Sequence, residues 1–188
     1  MTERCPWCGD DPLYVAYHDR EWGVPERDPR RLFEIFTLEG FQAGLSWITI
    51  LRKREGFRDA FAGFDPEVLA GWGERDVARL LADARIVRHR GKIEATLSNA
   101  RAWCELEATG SYADTIWAAV DGTPRRNRFA TMAEVPASTP ESVALSRRLK
   151  GLGFRFCGPT TAYAAMQAAG LVNDHLTGCF RHGEVAAG

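Results

Sequence analysis

Side chains able to ligate a metal gather at the two ends of this 188-residue sequence: Cys5, Cys8 and His18 near the start, His175, Cys179 and His182 near the finish. Between them lie only His89, Cys104 and Cys157. The spacing His175-x3-Cys179 lets one helical turn present both side chains on the same face. Two thiolates and two imidazoles suit zinc in a closed tetrahedral site, and a site with no open position is structural rather than catalytic. Six terminal candidates compete for those places. The spacing Cys5-x2-Cys8 is that of a zinc knuckle and, taken alone, joins Cys5 and Cys8 to His175 and Cys179. Free thiols and surface histidines are the competing reading. Five cysteines is an odd number, and Met1-Thr2-Glu3-Arg4-Cys5 lacks the pattern of a secretory signal. A disulfide framework therefore explains the cysteines poorly, and a cytoplasmic location is expected.

A second pattern suits an anion. Residues 142–173 contain no acidic side chain but carry Arg147, Arg148, Lys150 and Arg155, whereas residues 1–30 hold four basic and seven acidic ones. The spacing predicts a helix from Pro140 to about Lys150, the turn Gly151-Leu152-Gly153-Phe154-Arg155-Phe156-Cys157-Gly158, and a second helix from Pro159 to about Gly170. This is a helix-hairpin-helix at about 140–170. Glycine-rich turns expose backbone N–H groups, and a new helix begins with unpaired donors at its positive dipole end, so a phosphate fits there. Lys150, Gly153, Arg155, Gly158, Thr160 and Thr161 are the expected DNA contacts, of the kind that position a protein without reading sequence. An ordinary corner between two helices is the alternative.

The elements that must carry these groups read as helices. Asp28-Pro29, Asp65-Pro66 and Thr139-Pro140 each set a capping side chain before a proline suited to the first helical position. Leu32, Phe33, Ile35 and Phe36 supply one buried face, and Trp47, Ile48, Ile50 and Leu51 another after Ser46. Val77, Leu80 and Leu81 mark a short helix; Ile93, Leu97, Ala100, Trp103 and Cys104 mark a longer one ending before Gly110. Period-two alternation is scarce, and Asp121 to Arg128 reads as a connecting loop. With 45% hydrophobic and 26% charged residues the chain is an ordinary globular protein, expected to be one all-α domain over residues 1–188. Its 24 Lys+Arg against 25 Asp+Glu exclude an indiscriminate polycation. No apolar run is long enough to span a membrane, so no membrane partner is expected.

Several longer segments resemble the bacterial DNA-3-methyladenine glycosylase I family. They are Asp11-Pro12-Leu13-Tyr14-Val15-Ala16-Tyr17-His18-Asp19-Arg20-Glu21-Trp22-Gly23-Val24-Pro25, Leu38-Glu39-Gly40-Phe41-Gln42-Ala43-Gly44-Leu45-Ser46-Trp47 and Arg88-His89-Arg90-Gly91-Lys92-Ile93. Gly153-Phe154-Arg155-Phe156-Cys157-Gly158 and Gly170-Leu171-Val172-Asn173-Asp174-His175 continue the likeness, so it covers nearly the whole chain, with Ser111 to Ala137 the least distinctive part.

The resemblance implies an α-helical helix-hairpin-helix glycosylase with one structural zinc, held by Cys5, His18, His175 and Cys179. Cys8 and His182 then fall where the family requires no ligand. Its base pocket maps onto Tyr14, Tyr17, Trp22 and Trp47 with Glu39 as the essential carboxylate. Those residue types make chemical sense. A purine methylated at N3 is cationic, so aromatic faces bind it by stacking and cation–π attraction while a carboxylate pairs with its donors. Core packing is the competing reading for these aromatics. Gln42, Gly44 and Leu45 are expected at the DNA, with Leu45 able to fill the gap left by a flipped base.

The activity implied is hydrolysis of the N-glycosidic bond of 3-methyladenine in alkylated double-stranded DNA by a monomer, leaving an abasic site. In the wider superfamily a catalytic aspartate falls where this chain has Asn173, with Asp174 one residue away. None of the three lysines, Lys53, Lys92 and Lys150, matches a Schiff-base lysine, so strand cleavage is not expected. The rival readings are a zinc-stabilised DNA-binding module without catalysis and a metal-dependent hydrolase.

Overall fold

The computed structural model describes residues 3–185. Its helices are α1 (Pro12–Arg20), α2 (Pro29–Gln42), α3 (Trp47–Ala60), α4 (Pro66–Ala70), α5 (Glu74–Ala82), α6 (Arg90–Glu107), α7 (Tyr112–Trp117), α8 (Pro140–Gly151), α9 (Pro159–Ala168) and α10 (Phe180–Glu184). The all-α expectation holds, with one addition. The segment read as a loop contains β1 (Arg125–Arg126), which pairs in parallel with β2 (Val172–Asn173). That short ladder fastens the long connection before α8 to the chain leaving α9.

Local chemistry explains the helix starts. Asp28 accepts from the N–H of Arg31, Asp65 from those of Glu67 and Val68, and Thr139 from that of Ser142. Asp11 caps α1 in the same way, accepting from the N–H groups of Leu13 and Tyr14, and thereby orients the helix that carries Tyr14, Tyr17 and His18. The ends of α8 and α9 are closed alike. Phe154 N–H donates to Leu149 at 3.0 Å and Gly153 N–H to Lys150 at 3.0 Å; Leu171 N–H donates to Met166 at 2.9 Å and Gly170 N–H to Gln167 at 3.2 Å. Both are the paired bonds of a Schellman motif.

A large core runs through the molecule, and a second, small cluster of Cys5, Leu176 and Cys179 lies apart from it. Phe41, Phe57, Phe61 and Phe64 pack in succession between α2, α3 and the turn before α4, and Leu32, Phe33, Leu149, Tyr163 and Met166 join α2 to α8 and α9. α9 packs on α2 as well as on α8, so the hairpin between α8 and α9 is held beside the end of α2.

Gly170 makes the tightest approach. It lies at φ +69°, and a Cβ there would stand 2.4 Å from the Val24 carbonyl carbon and 2.6 Å from the Gly23 oxygen. The segment joining α1 to α2 therefore rests directly on the end of α9. Gly170→Ala combines left-handed strain with a backbone collision, and we expect it to destabilise the fold by about 2 kcal/mol or more, measured by urea unfolding.

Candidate active site and metal centre

Four of the terminal ligand candidates meet. Cys5 precedes a short 3-10 turn, His18 lies in the last turn of α1, His175 follows β2, and Cys179 is the N-cap of α10. All four are buried, and their ligand atoms lie within 4.8 Å of one another. The sulfur of Cys179 is 3.4 Å from His18 Nε2 and 3.7 Å from His175 Nδ1; that of Cys5 is 3.6 Å from His175 Nδ1. The other two candidates are engaged elsewhere. The Cys8 thiol donates to the Cys5 carbonyl at 3.2 Å, and His182 sits between the Arg126 guanidinium and the Asn127 carbonyl. The zinc-knuckle pairing is thereby set aside on geometry.

The outer ring nitrogens of both histidines are occupied, which turns the inner ones toward the sulfurs. His18 Nδ1 is 2.8 Å from Asp19 Oδ1, and Asp19 is gripped by Arg4; His175 Nε2 donates to the Trp22 carbonyl at 3.1 Å. Arg4 holds the Asp19 carboxyl down at about 2. The Cys5 thiol, followed by the two imidazoles, favours a thiolate at Cys179 and lowers its pKa. Burial opposes charge on His18, but its bonds to Cys179 and Asp19 outweigh that and raise its pKa. This buried Cys2His2 group, with oriented imidazoles and a favoured thiolate, can bind a metal ion.

A cavity of about 310 Å³ opens beside this centre. Tyr14 and Tyr17 reach it from α1, Glu39 and Gln42 from the last turn of α2, Trp47 from the start of α3, and Trp22 from the segment after α1. All five residues expected at the base pocket are brought together. Thr160, Tyr163 and Gln167 of α9, Asp174, and the stretch containing Met132, Val135, Pro136 and Ala137 complete the lining.

Trp7, which sequence reasoning missed, belongs to the same wall. Its ring lies 5.1 Å from Tyr14, 5.0 Å from Trp22 and 5.2 Å from His18, while Trp22 stands edge-on to His175 at 4.7 Å. The metal-ligand group and the cavity thus share an aromatic partition. The only sequence cue was an aromatic residue two positions after a candidate ligand.

The two carboxyl groups of the cavity differ. Glu39 is 6% exposed, and burial without a compensating donor pushes its pKa up to about 8. Asp174 accepts from Tyr163 Oη at 2.5 Å, Gln167 Nε2 at 2.8 Å and Asn127 Nδ2 at 2.6 Å. Asn173 points away: its amide donates to the His182 carbonyl and accepts from His175 N–H. The carboxylate on this side of the cavity is therefore Asp174.

Of the expected DNA contacts, Gln42 and Thr160 line the cavity. Lys150, Gly153 and Arg155 are exposed at the hairpin, Gly158 is the N-cap of α9, and Thr160 and Thr161 occupy its first turn. The hairpin's own N–H groups are less available than the glycines suggest. Those of Gly153 and Phe154 close α8, and that of Arg155 donates to Asn99 Oδ1 at 2.7 Å. The expectation of an anion at the hairpin therefore rests on the start of α9 and on the basic side chains rather than on the turn's own N–H groups. Gly44 and Leu45 are exposed on the turn after α2, Leu45 at 41%, so packing in the core does not explain Leu45.

The model of the family described as methyladenine glycosylase matches residues 7–182. The chain belongs to that family. It is 54% identical over 178 residues to the DNA-3-methyladenine glycosylase 1 of Escherichia coli (strain K12), covering 94% of this chain and 95% of that protein. A crystal structure of a 3-methyladenine DNA glycosylase I superposes with a TM-score of 0.94 at 56% identity, over 95% of this chain and 98% of that one. A tyrosine-to-phenylalanine variant of such a glycosylase, solved in complex with 3-methyladenine, matches with a TM-score of 0.90 at 36% identity, over 94% and 96% of the two chains.

In this family member Glu39 also sets a pH dependence of stability. Between 4.5, its ordinary value, and about 8 the native state keeps a proton that the unfolded chain releases. Stability contributed by that proton is lost as pH rises through this window. Glu39→Gln removes the linkage, so its melting temperature relative to wild type rises by a few degrees from pH 5 to pH 8, measured by calorimetry.

Proposed function

We propose that this chain excises 3-methyladenine from alkylated double-stranded DNA by hydrolysing the N-glycosidic bond, releasing the free base and leaving an abasic site. The observation that carries the reading is Glu39, a buried carboxyl without a partner, enclosed by Tyr14, Tyr17, Trp22 and Trp47 in a cavity that Thr160 at the start of α9 also lines. The empty cavity favours neutral Glu39. A cationic base entering it restores the carboxylate, because the new ion pair replaces lost solvation. Neutral adenine offers no such compensation, so the same burial that raises the pKa makes the site selective for positive charge. The aromatic faces add cation–π attraction.

Bond cleavage turns the cationic base into a neutral leaving group, so no proton need be delivered to it. Flipping the nucleotide and holding it by these side chains does the work, with Asp174, held by Tyr163, Gln167 and Asn127, as a second carboxyl at the cavity. None of the three lysines lines the cavity, in keeping with hydrolysis rather than Schiff-base chemistry. Gln42, Gly44 and Leu45 meet the DNA on one side of the cavity, and Lys150, Gly153, Arg155, Gly158, Thr160 and Thr161 on the other. The chain works as a single domain over residues 1–188 and as a monomer in the cytoplasm. No helix among the described residues is long and apolar enough to cross a membrane.

Zinc is the metal that best fits Cys5, His18, His175 and Cys179. A tetrahedron with bonds of about 2.3 Å to sulfur and about 2.05 Å to nitrogen has sulfur–nitrogen edges of roughly 3.6 Å; Cys179 to His18, Cys5 to His175 and Cys179 to His175 are separated by 3.4, 3.6 and 3.7 Å, with all the ligand atoms within 4.8 Å of one another. With all positions taken by protein, the ion would brace the two ends of the chain and the aromatic partition rather than touch the base.

Two experiments test these assignments. Glu39→Gln lowers release of 3-methyladenine from methylated duplex by about 100-fold, the order lost with one preorganised electrostatic group, while affinity for undamaged DNA is kept. Chromatography of the released bases and a binding titration report the two quantities, and unchanged turnover would sink the role of Glu39. His18→Ala abolishes stoichiometric zinc in elemental analysis whereas Cys8→Ser retains it; the reverse result would restore the zinc-knuckle pairing.

A further inference from the structure

Lys92 has no part in the chemistry above, yet it is the buried lysine of the chain, 8% exposed in the first turn of α6. Its Nζ donates to the Phe41 carbonyl at 2.9 Å and to the Ala43 carbonyl at 2.7 Å. Both acceptors belong to the end of α2, where helical hydrogen bonding has run out and the negative end of the dipole lies. Burial lowers the pKa of the amine, and no neighbouring carboxylate offsets that shift. An ammonium with three donors suits two orphan carbonyls, which a neutral apolar side chain would leave unsatisfied. The lysine is also fixed at its base, since its own N–H donates to Nδ1 of His89, the N-cap of α6, at 3.2 Å.

What Lys92 holds is the junction of pocket and DNA face. Directly beyond its acceptors the chain turns at Gly44, φ +85°, presents Leu45 to solvent and enters α3 at Trp47. The two sides of that turn are the cavity residues Gln42 and Trp47. The hairpin meets the same place: the Phe156 ring stands edge-on to His89 at 6.2 Å, and Asn99 of α6 bonds both the N–H and the carbonyl of Arg155.

We propose that Lys92 is a positioning residue that sets the height of the Gly44–Leu45 turn against the hairpin and the cavity, so that extrusion of a nucleotide and its capture beside Glu39 share one geometry. This rests on the glycosylase reading. It assigns no contact between the amine and the base, because Lys92 does not line the cavity. Lys92 acts through Leu45.

The test is a double-mutant cycle of wild type, Lys92→Met, Leu45→Ala and the double variant. It follows single-turnover release of 3-methyladenine from methylated duplex, alongside binding of the free base by tryptophan fluorescence. Lys92→Met lowers release about 10- to 100-fold, the order that a misplacement near 1 Å costs, with free-base affinity kept within about twofold. The double variant falls no further than the slower single one, since both act through the same turn. Multiplicative losses in the double variant overturn the proposal, as does a parallel loss of free-base affinity. Should Lys92→Met fail to fold, the same cycle with Lys92→Gln, which keeps a donor, decides the matter by the same criteria. A wild type that releases no base sinks the glycosylase reading itself, whereas an active wild type with a multiplicative cycle sinks only the role of Lys92.

Discussion

A carboxyl buried without a donor resists ionisation, and the packing around Glu39 accepts that penalty rather than relieving it. The residue sits at the end of α2, where side chains from α1 and α3 close over it and supply rings instead of hydrogen bonds. Such a site keeps its shape only if the surrounding elements cannot shift toward the carboxyl or admit a cation of their own. The phenylalanine stack behind α2, the docking of α9 on α2 and the hold of Lys92 on the last carbonyls of the helix all oppose such movement. The cavity thus keeps a carboxyl that its own walls do not pair.

The joining of the chain ends serves the same cavity. His18 and His175 are ligand candidates on one side and packing partners of Trp7 and Trp22 on the other. The Trp22 backbone carbonyl orients His175, and Gly170 lets the segment containing Gly23 and Val24 lie against the end of α9. Closure of the ends and construction of the pocket wall are therefore one packing problem. The Cys2His2 group thus touches the cavity wall through the aromatic partition, although no ligand atom lines the cavity.

Much of the scaffold is legible without coordinates because helix starts are local. Asp28, Asp65 and Thr139 cap the helices expected of them, and the glycine-rich segment joins two helices where the spacing placed it. Period and capping are weaker guides where an element is short. β1 and β2 are two residues each and exist only because the connection before α8 meets the chain leaving α9. At the ligand cluster, the spacing of Cys5 and Cys8 suggested a pair that the 3-10 turn breaks by aiming Cys8 at a carbonyl. The likeness to the glycosylase family, not the spacing, selected His18.

By itself the sequence determined the helical class, the two helices that flank the acid-free glycine-rich turn and, through its likeness to a family, which aromatic residues and carboxyl gather at one cavity. These depend on periodicity, capping chemistry and linear order, all carried by near neighbours. Only the tertiary structure decided that Trp7 joins the pocket wall, that Asp174 rather than Asn173 faces the cavity, that Asn99 occupies the Arg155 N–H of the hairpin, and that Lys92 caps a helix fifty-one residues before it. Each of these turns on which side chain reaches a donor or acceptor first among groups distant in sequence, and that competition has no signature along the chain.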